Sequence, residues 1–432
     1  MSPLRRTAVS LALLATLLVT AGCNTVGPQA VRTAGVDYNR AMNDAYNEQV
    51  LLNLVRLRYR DAPYFLEPGQ LVTSHVLGGS AALGTTLGAG SADVDAAVGY
   101  SYEESPAVIY TPLTGEAFLE RLLTPVQVET LYLLMRSGWS IERVLRCCVR
   151  QVNDLLNAPS ADGPTPSYTP EYRDFRLLAE ELRRLQKSRE LLLDSAVVSG
   201  GDGDGGDGGE EEGEKKAGKD AAGSDGEEHR SFYVVLSPAA VQALGAMEAP
   251  RRDAVLPGGT GWSAADGPTR LELVPEQRSG IPGKVALHTR SLMGVLYFLS
   301  QGVEAPQEHV DRGLVTATAA DPGPAWTRDP DPDALNFPRG ECAQDREWAC
   351  PVGRECLDWT ETVLGDLFRV RVSAKKPGVA AYVAVSYRGH WFYIADCDLQ
   401  SKSTYLLLKQ LFSLQSGDPK DRSSVLNYSL GG

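Results

Sequence analysis

Val379-Ala-Ala-Tyr-Val-Ala-Val-Ser-Tyr-Arg-Gly-His-Trp-Phe-Tyr-Ile-Ala395 is the stretch from which the fold class follows. β-Branched and aromatic residues fill it and Arg388-Gly389 interrupts it once, so it reads as two strands, 379–387 and 390–395, joined by a tight turn. Upstream, Leu367 to Ser373 reads as a third strand, with Pro377-Gly378 as the intervening turn, and a helix from about Ser403 to Leu414 follows. Further toward the N-terminus, 232–236, 271–274 and 284–287 read as strands. Helices are expected over 239–247 and from Leu292 to Leu299, the second capped by Thr289 and stopped by Gly302. Strands in meander order with helices between them predict an α+β class, in which residues 231–432 form an antiparallel sheet with packed helices.

The N-terminal half, 37–198, is expected to be mainly helical. Asp37 to Arg60 forms one helix packing through Leu51, Leu54, Val55 and Leu57, and Asp61-Ala62-Pro63 ends it. Helices are also predicted over 115–123 and 126–137. A third, capped by Ser140, carries the stripe Ile141, Val144, Leu145, Cys148, Val152, Leu155 and Leu156. Thr169-Pro170 opens another, with Phe175, Leu178, Leu182, Leu185 and Leu192 in phase.

Residues 70–111 differ in kind, being rich in Gly, Ala, Ser and Val with a period of two. Val94, Ala96, Val98, Tyr100 and Tyr102 fall on one face, and Asp93, Asp95, Gly99 and Ser101 on the other. Ala81, Leu83, Leu87 and Ala89 form a weaker matching face, with Gly90-Ser91 as the turn between. This Gly/Ala-rich hairpin segment fits either a small amphipathic sheet packed on neighbouring helices or membrane strands of about ten residues. Four such strands cannot close a barrel alone, so the membrane reading requires several protomers.

The first 23 residues address the chain to the bacterial envelope. Arg5 and Arg6 precede the apolar run Thr7 to Thr20, which ends at Thr20-Ala21-Gly22-Cys23. Residues 1–22 therefore read as a lipoprotein signal peptide, although Thr20 stands where Leu is usual, and Cys23 as the acylated residue. Two or three acyl chains hold far more firmly than one. Asn24 follows instead of the Asp that favours the inner membrane, so the outer membrane is expected, with 23–36 as a tether.

Lysine and arginine number 42 against 55 aspartates and glutamates, and 200–229 concentrates much of the excess. The segment 199–230 reads as a disordered acidic Gly-rich linker that separates the halves in sequence. An acidic surface argues against nucleic acid as a partner. The expected partners are the membrane, through Cys23, and an envelope protein.

Cys342, Cys350 and Cys356 crowd a Pro- and charge-rich loop where a disulfide is expected; their spacing does not suit zinc. His390, Cys397 and the neighbouring Asp396 and Asp398 suggest a nucleophile–base pair, but an extended strand between them sets them about 20 Å apart. His229 and His309 fall in a linker and a loop, and His288 offers only a position for a pocket. No catalytic, cofactor-binding or metal-ligating residue is assigned, and no cofactor is expected.

Asn47-Glu48-Gln49 running into Leu51-Leu-Asn-Leu-Val-Arg-Leu-Arg-Tyr59 resembles a family of hypothetical proteobacterial lipoproteins. Arg290-Ser-Leu-Met-Gly-Val-Leu-Tyr-Phe-Leu-Ser-Gln-Gly302 and Arg388-Gly-His-Trp-Phe-Tyr-Ile-Ala-Asp396, with the Ser401-Lys-Ser-Thr helix start, carry the same resemblance. It implies location and no activity. The sequence points first to a binding or structural component of an envelope complex. The alternatives are an oligomeric pore built from 70–111 and an envelope hydrolase.

Overall fold

The computed structural model describes residues 36–88, 91–166, 170–198, 229–258, 267–275, 280–316, 359–416 and 428–430. The lipidation signal with Cys23, the acidic segment and the loop with Cys342, Cys350 and Cys356 lie outside the described residues. Helix α1 (36–58) is followed by strands β1 (Leu66–Gly88) and β2 (Ser91–Pro112), and then by helices α2 (Glu116–Leu123), α3 (Val128–Arg136) and α4 (Ile141–Cys148). Strands β3 (Val149–Val152) and β4 (Leu155–Leu156) precede α5 (Arg173–Ser188), β5 (Leu191–Val198) and β6 (His229–Leu236). Then come α6 (Pro238–Gly245), α7 (Ala249–Val255), β7 (Thr269–Pro275), β8 (Lys284–Thr289), α8 (Leu292–Ser300) and α9 (Gln307–Asp311). The chain continues through β9 (Arg371–Ser373), β10 (Ala381–Tyr387), β11 (His390–Ala395), α10 (Leu399–Ser416) and β12 (Tyr428–Leu430).

The class is α+β, as expected. A six-stranded mixed sheet runs β4-β3-β8-β7-β6-β5, with β7 and β8 parallel, and β10-β11-β9 form an antiparallel sheet. The six-stranded sheet takes strands from both sides of the acidic segment. Val198 at the end of β5 pairs with His229 at the start of β6, so 199–228 connects two neighbouring strands of one sheet. One apolar core, including Leu51, Leu185, Leu236, Val295, Phe392 and Leu408, joins both halves into a single body. Helix α8 is apolar nearly all round and is accordingly buried on nearly every side.

Several expectations change in detail. The stripe from Ile141 does not continue as helix to Leu156: Cys148 ends α4, and Val149 and Val152 pair with Thr289 and Leu287 of β8. The buried Asn157 fixes that turn by donating to the carbonyls of Arg146 (3.0 Å) and Val149 (2.7 Å). Helix α5 stops at Ser188 because Arg189 is left-handed (φ 62°), and Leu192 lies exposed on β5 opposite Val235. Ser291, rather than Thr289, caps α8 by accepting from the Gly294 N–H (3.0 Å). The meander order is also corrected: β11 is the middle strand of its sheet, pairing with β10 on one edge and β9 on the other, because the 374–380 connection skips the position beside β9.

Arg290 sits at the centre of the body. Its guanidinium pairs with Asp162, donates to the carbonyls of Arg146 (3.0 Å), Val149 (3.0 Å) and Asn157, and covers the Phe298 ring at 4.1 Å. The rigid five-donor fork shares the Arg146 and Val149 carbonyls with Asn157 and adds a donor to the buried Asn157 carbonyl. Arg146 similarly bridges α4 to Asp366 through two bonds (2.9 and 2.8 Å) and to Glu142 (2.9 Å).

Candidate functional site

The most conspicuous structure is the ribbon of β1 and β2. It is one hairpin of two strands, 23 and 22 residues long, where the sequence suggested four shorter ones. Gly88 pairs with Ser91; Gly90 of the expected Gly90-Ser91 turn lies outside the described residues. Pairing runs unbroken from Leu71↔Val108 to Gly88↔Ser91, with an irregularity only near the root, at Pro68/Leu71.

Register decides the character of this ribbon. Directly opposed residues share a face. Leu77↔Tyr102, Gly79↔Tyr100, Ala81↔Val98, Leu83↔Ala96, Thr85↔Val94 and Leu87↔Ala92 therefore form one face with a single polar position, Thr85. The intervening pairs, from Gly78↔Ser101 through Gly84↔Asp95 and Thr86↔Asp93 to Gly88↔Ser91, form a face of small and acidic residues. The two weak half-patterns in the sequence thus fall on the same face. His75↔Glu104 continues the apolar face toward the root and ends it.

The ribbon is held at its root. The buried Asn53 of α1 donates to the Tyr64 carbonyl (2.8 Å) and accepts its N–H (2.9 Å). Phe65 is buried against Phe412 (5.0 Å between ring centres) and Phe118 (5.8 Å), and its carbonyl accepts the Leu113 N–H (2.9 Å). Both legs are thereby fixed to the body. Strand β1 pairs along most of its length with β2 and lies between β2 and β12. Strand β12 pairs with β1 only at Thr73–His75, which leaves the remaining edges without a strand partner among the described residues. A groove of about 790 Å³, lined by Glu48, Tyr64, Tyr110, Tyr382 and Trp391 among others, opens beside the root.

A second polar centre lies where α1 ends. Tyr59 is bonded to His309 Nδ1 (2.7 Å), and its ring packs edge-on against those of His309, Tyr387 and Phe392. Burial, partly offset by the Arg58 and Arg388 charges, pushes the Tyr59 phenol up to about 12. The His309 and His390 rings stand 4.9 Å apart and nearly perpendicular. Burial and the neighbouring His390 lower the His309 pKa, favouring the neutral ring. Asp61, in the loop leading to β1, accepts from Tyr387 and from Arg388 (2.9 Å). This centre draws together Tyr59 and Arg388-Gly-His390 from two of the sequence motifs, with His309 between them. The sequence reading of His309 as a loop residue in a poor place is corrected: it is fully buried in α9. No spacing signal links positions 59, 309 and 390, so only the tertiary fold shows them as neighbours.

The remaining candidates are dispersed. His390 opens β11 and Cys397 lies exposed beyond its end, so they make no nucleophile–base pair. Asp398 instead accepts from the Ser401 N–H (3.0 Å) and hydroxyl (2.7 Å) at the start of α10. His288 is half-buried on β8. Cys147 and Cys148 are buried free thiols at the end of α4, and burial pushes Cys147 up to about 11. Among the described residues, no helix is long and apolar enough to cross a membrane, which says nothing of a β-barrel. Comparison with protein-family models, curated proteins and solved structures finds no match to this chain.

Proposed function

We propose that this protein is an outer-membrane lipoprotein, held by an acylated Cys23, whose ribbon joins those of further copies in a β-barrel pore. The observation that carries this reading is the register of β1 and β2. Twelve successive pairs, from Leu77↔Tyr102 to Gly88↔Ser91, divide into a face that is apolar but for Thr85 and a face of small and acidic residues. Twelve residues extend about 36 Å along a strand, which at a barrel tilt of about 40° spans about 28 Å of membrane. The apolar band of an outer-membrane barrel is about 25 Å tall. Tyr100 and Tyr102 fall at one end of the band, where interfacial aromatic residues belong.

The open edges support oligomerisation. A two-stranded ribbon is not stable alone, and unpaired edges are intolerable in lipid, so the partner that completes it is another ribbon. The binding and structural role expected from the sequence then becomes that of the body, a collar that carries the ribbon. The tether 24–36 reaches at most about 45 Å, which allows anchor and ribbon to enter the same membrane. Asp93 and Asp95 fall on the polar face, which in a barrel lines the lumen and favours cations.

The test is the mass of the lipidated protein in mild detergent, by size-exclusion with light scattering, followed by conductance in a planar bilayer. A large homo-oligomer with cation-selective conductance, the selectivity lost in the Asp93→Asn, Asp95→Asn variant, is the expected result. A monomer without conductance would overturn the proposal.

A further inference from the structure

We propose that Glu308, His309 and His390 bind a divalent transition-metal ion of the zinc type. The three residues come from α9 and the first position of β11, and their ligand atoms all lie within 4.8 Å of one another. Glu308 Oε1 is 3.6 Å from His309 Nε2 and 3.6 Å from His390 Nδ1. These separations exceed a hydrogen bond. They lie close to the roughly 3.3 Å between ligand atoms in a tetrahedral site with bonds of about 2.0–2.1 Å. Contraction by a few tenths of an ångström brings the Glu308 carboxylate to ligand spacing from each imidazole, whose own ring nitrogens lie within 4.8 Å of each other.

Two further observations point to a ligand. His390 Nδ1 is buried and has no hydrogen-bond partner, a costly condition that a metal ion at this position relieves. His309 is already oriented, because Tyr59 engages its Nδ1 and leaves Nε2 turned toward Glu308. Metal-bound histidines take such a partner on their second nitrogen, which fixes tautomer and ring direction. Two imidazoles and a carboxylate match the ligand preferences of zinc, and the exposed Glu308 gives the ion access from solvent. With three protein ligands the fourth position is left to water. The nearby Arg388 is itself paired with Asp61, which tempers its repulsion of a cation. The expectation of no metal ligand from sequence rested on local spacing, and His390 lies 81 residues after His309. The proposal is independent of the ribbon and of oligomerisation.

The test uses the full-length protein in detergent, stripped with chelator and titrated with zinc by calorimetry, with cobalt(II) as a spectroscopic substitute. One equivalent per chain and the intense visible bands of tetrahedral cobalt are expected. Glu308→Gln is expected to weaken binding at least tenfold and His390→Ala to abolish the bands. Tyr59→Phe, which leaves the ligands in place, is expected to weaken binding by about 10–100-fold. Circular dichroism of each variant separates loss of ligand from loss of fold. Absence of binding to the wild-type chain overturns the proposal. So does binding that persists unchanged in His390→Ala, as would zinc held by the acidic segment.

Discussion

Arg290 illustrates how a single side chain organises this body. Its exposure is 1%, and its donors serve carbonyls from α4, β3 and the loop before α5. Replacing it by methionine preserves much of the volume but removes the charge partner closest to Asp162 and a donor from each of those carbonyls, leaving Asn157 to serve those of Arg146 and Val149. We expect a loss of about 3–5 kcal/mol in urea unfolding. Lysine, a point charge without the planar fork, is expected to rescue little of it. Asp366 gives a pH signature. Burial works to raise its pKa, but hydrogen bonds and charge from Arg146, reinforced by Arg176, hold it below the usual carboxylate range. A depressed pKa contributes stability that is present above the unfolded value, about 3.9, and lost as pH falls through the folded one. Asp366 is nearly half exposed, so solvent screening limits the contribution to about 1 kcal/mol. The stability gap between the wild type and Asp366→Asn, followed by urea unfolding, is therefore expected at neutral pH and should close below about pH 4.

Among the elements, those with strong local signals were legible and those defined by pairing were not. The stripe of Leu51, Leu54 and Val55 announces α1, and all three are buried. The run 379–395 announces β10 and β11, but the place of β9 beyond β11 depends on a crossover that no local pattern encodes. Likewise, Leu192 and Val152 sit in helical phase yet belong to strands, because β6 and β8 offer their open edges there. Gly302 marks a contact invisible in sequence: a Cβ there would stand 2.6 Å from the Phe368 carbonyl oxygen. Neighbouring Val303 and Val370 form a β-bridge at this crossing. Gly302→Ala is expected to cost about 1–3 kcal/mol through overpacking, measurable by thermal or urea unfolding.

The whole molecule combines a compact body with a ribbon whose faces differ, and this asymmetry can be tested within two adjacent residues. Val98→Asp places a charge on the apolar face, whereas Ala97→Asp places it on the polar one. If the ribbon lines a barrel, the first is expected to cost up to about 2–4 kcal/mol of membrane insertion and to suppress conductance. The second should leave conductance intact and strengthen cation selectivity. Equal effects of the two, read in planar bilayers, would show that the faces are not distinguished by lipid. Here the sequence supplied the alternation but not the register, so the half-patterns around Leu83 and Ala96 could not be assigned to one surface. The Tyr59–His309–His390 centre was less legible still, since it joins chain positions separated by 250 residues for one hydrogen bond.

The pairing of Val198 with His229 brings the two ends of the acidic segment side by side. Closure entropy rises only slowly with length, by about 0.6 kcal/mol for each doubling, so the fold is nearly indifferent to how much chain hangs there. The position therefore makes a natural port for a reporter. An epitope or a small fluorescent domain spliced between 199 and 228 should leave the body folded. If the chain is lipid-anchored as proposed, it would show in living cells on which side of the membrane that body resides.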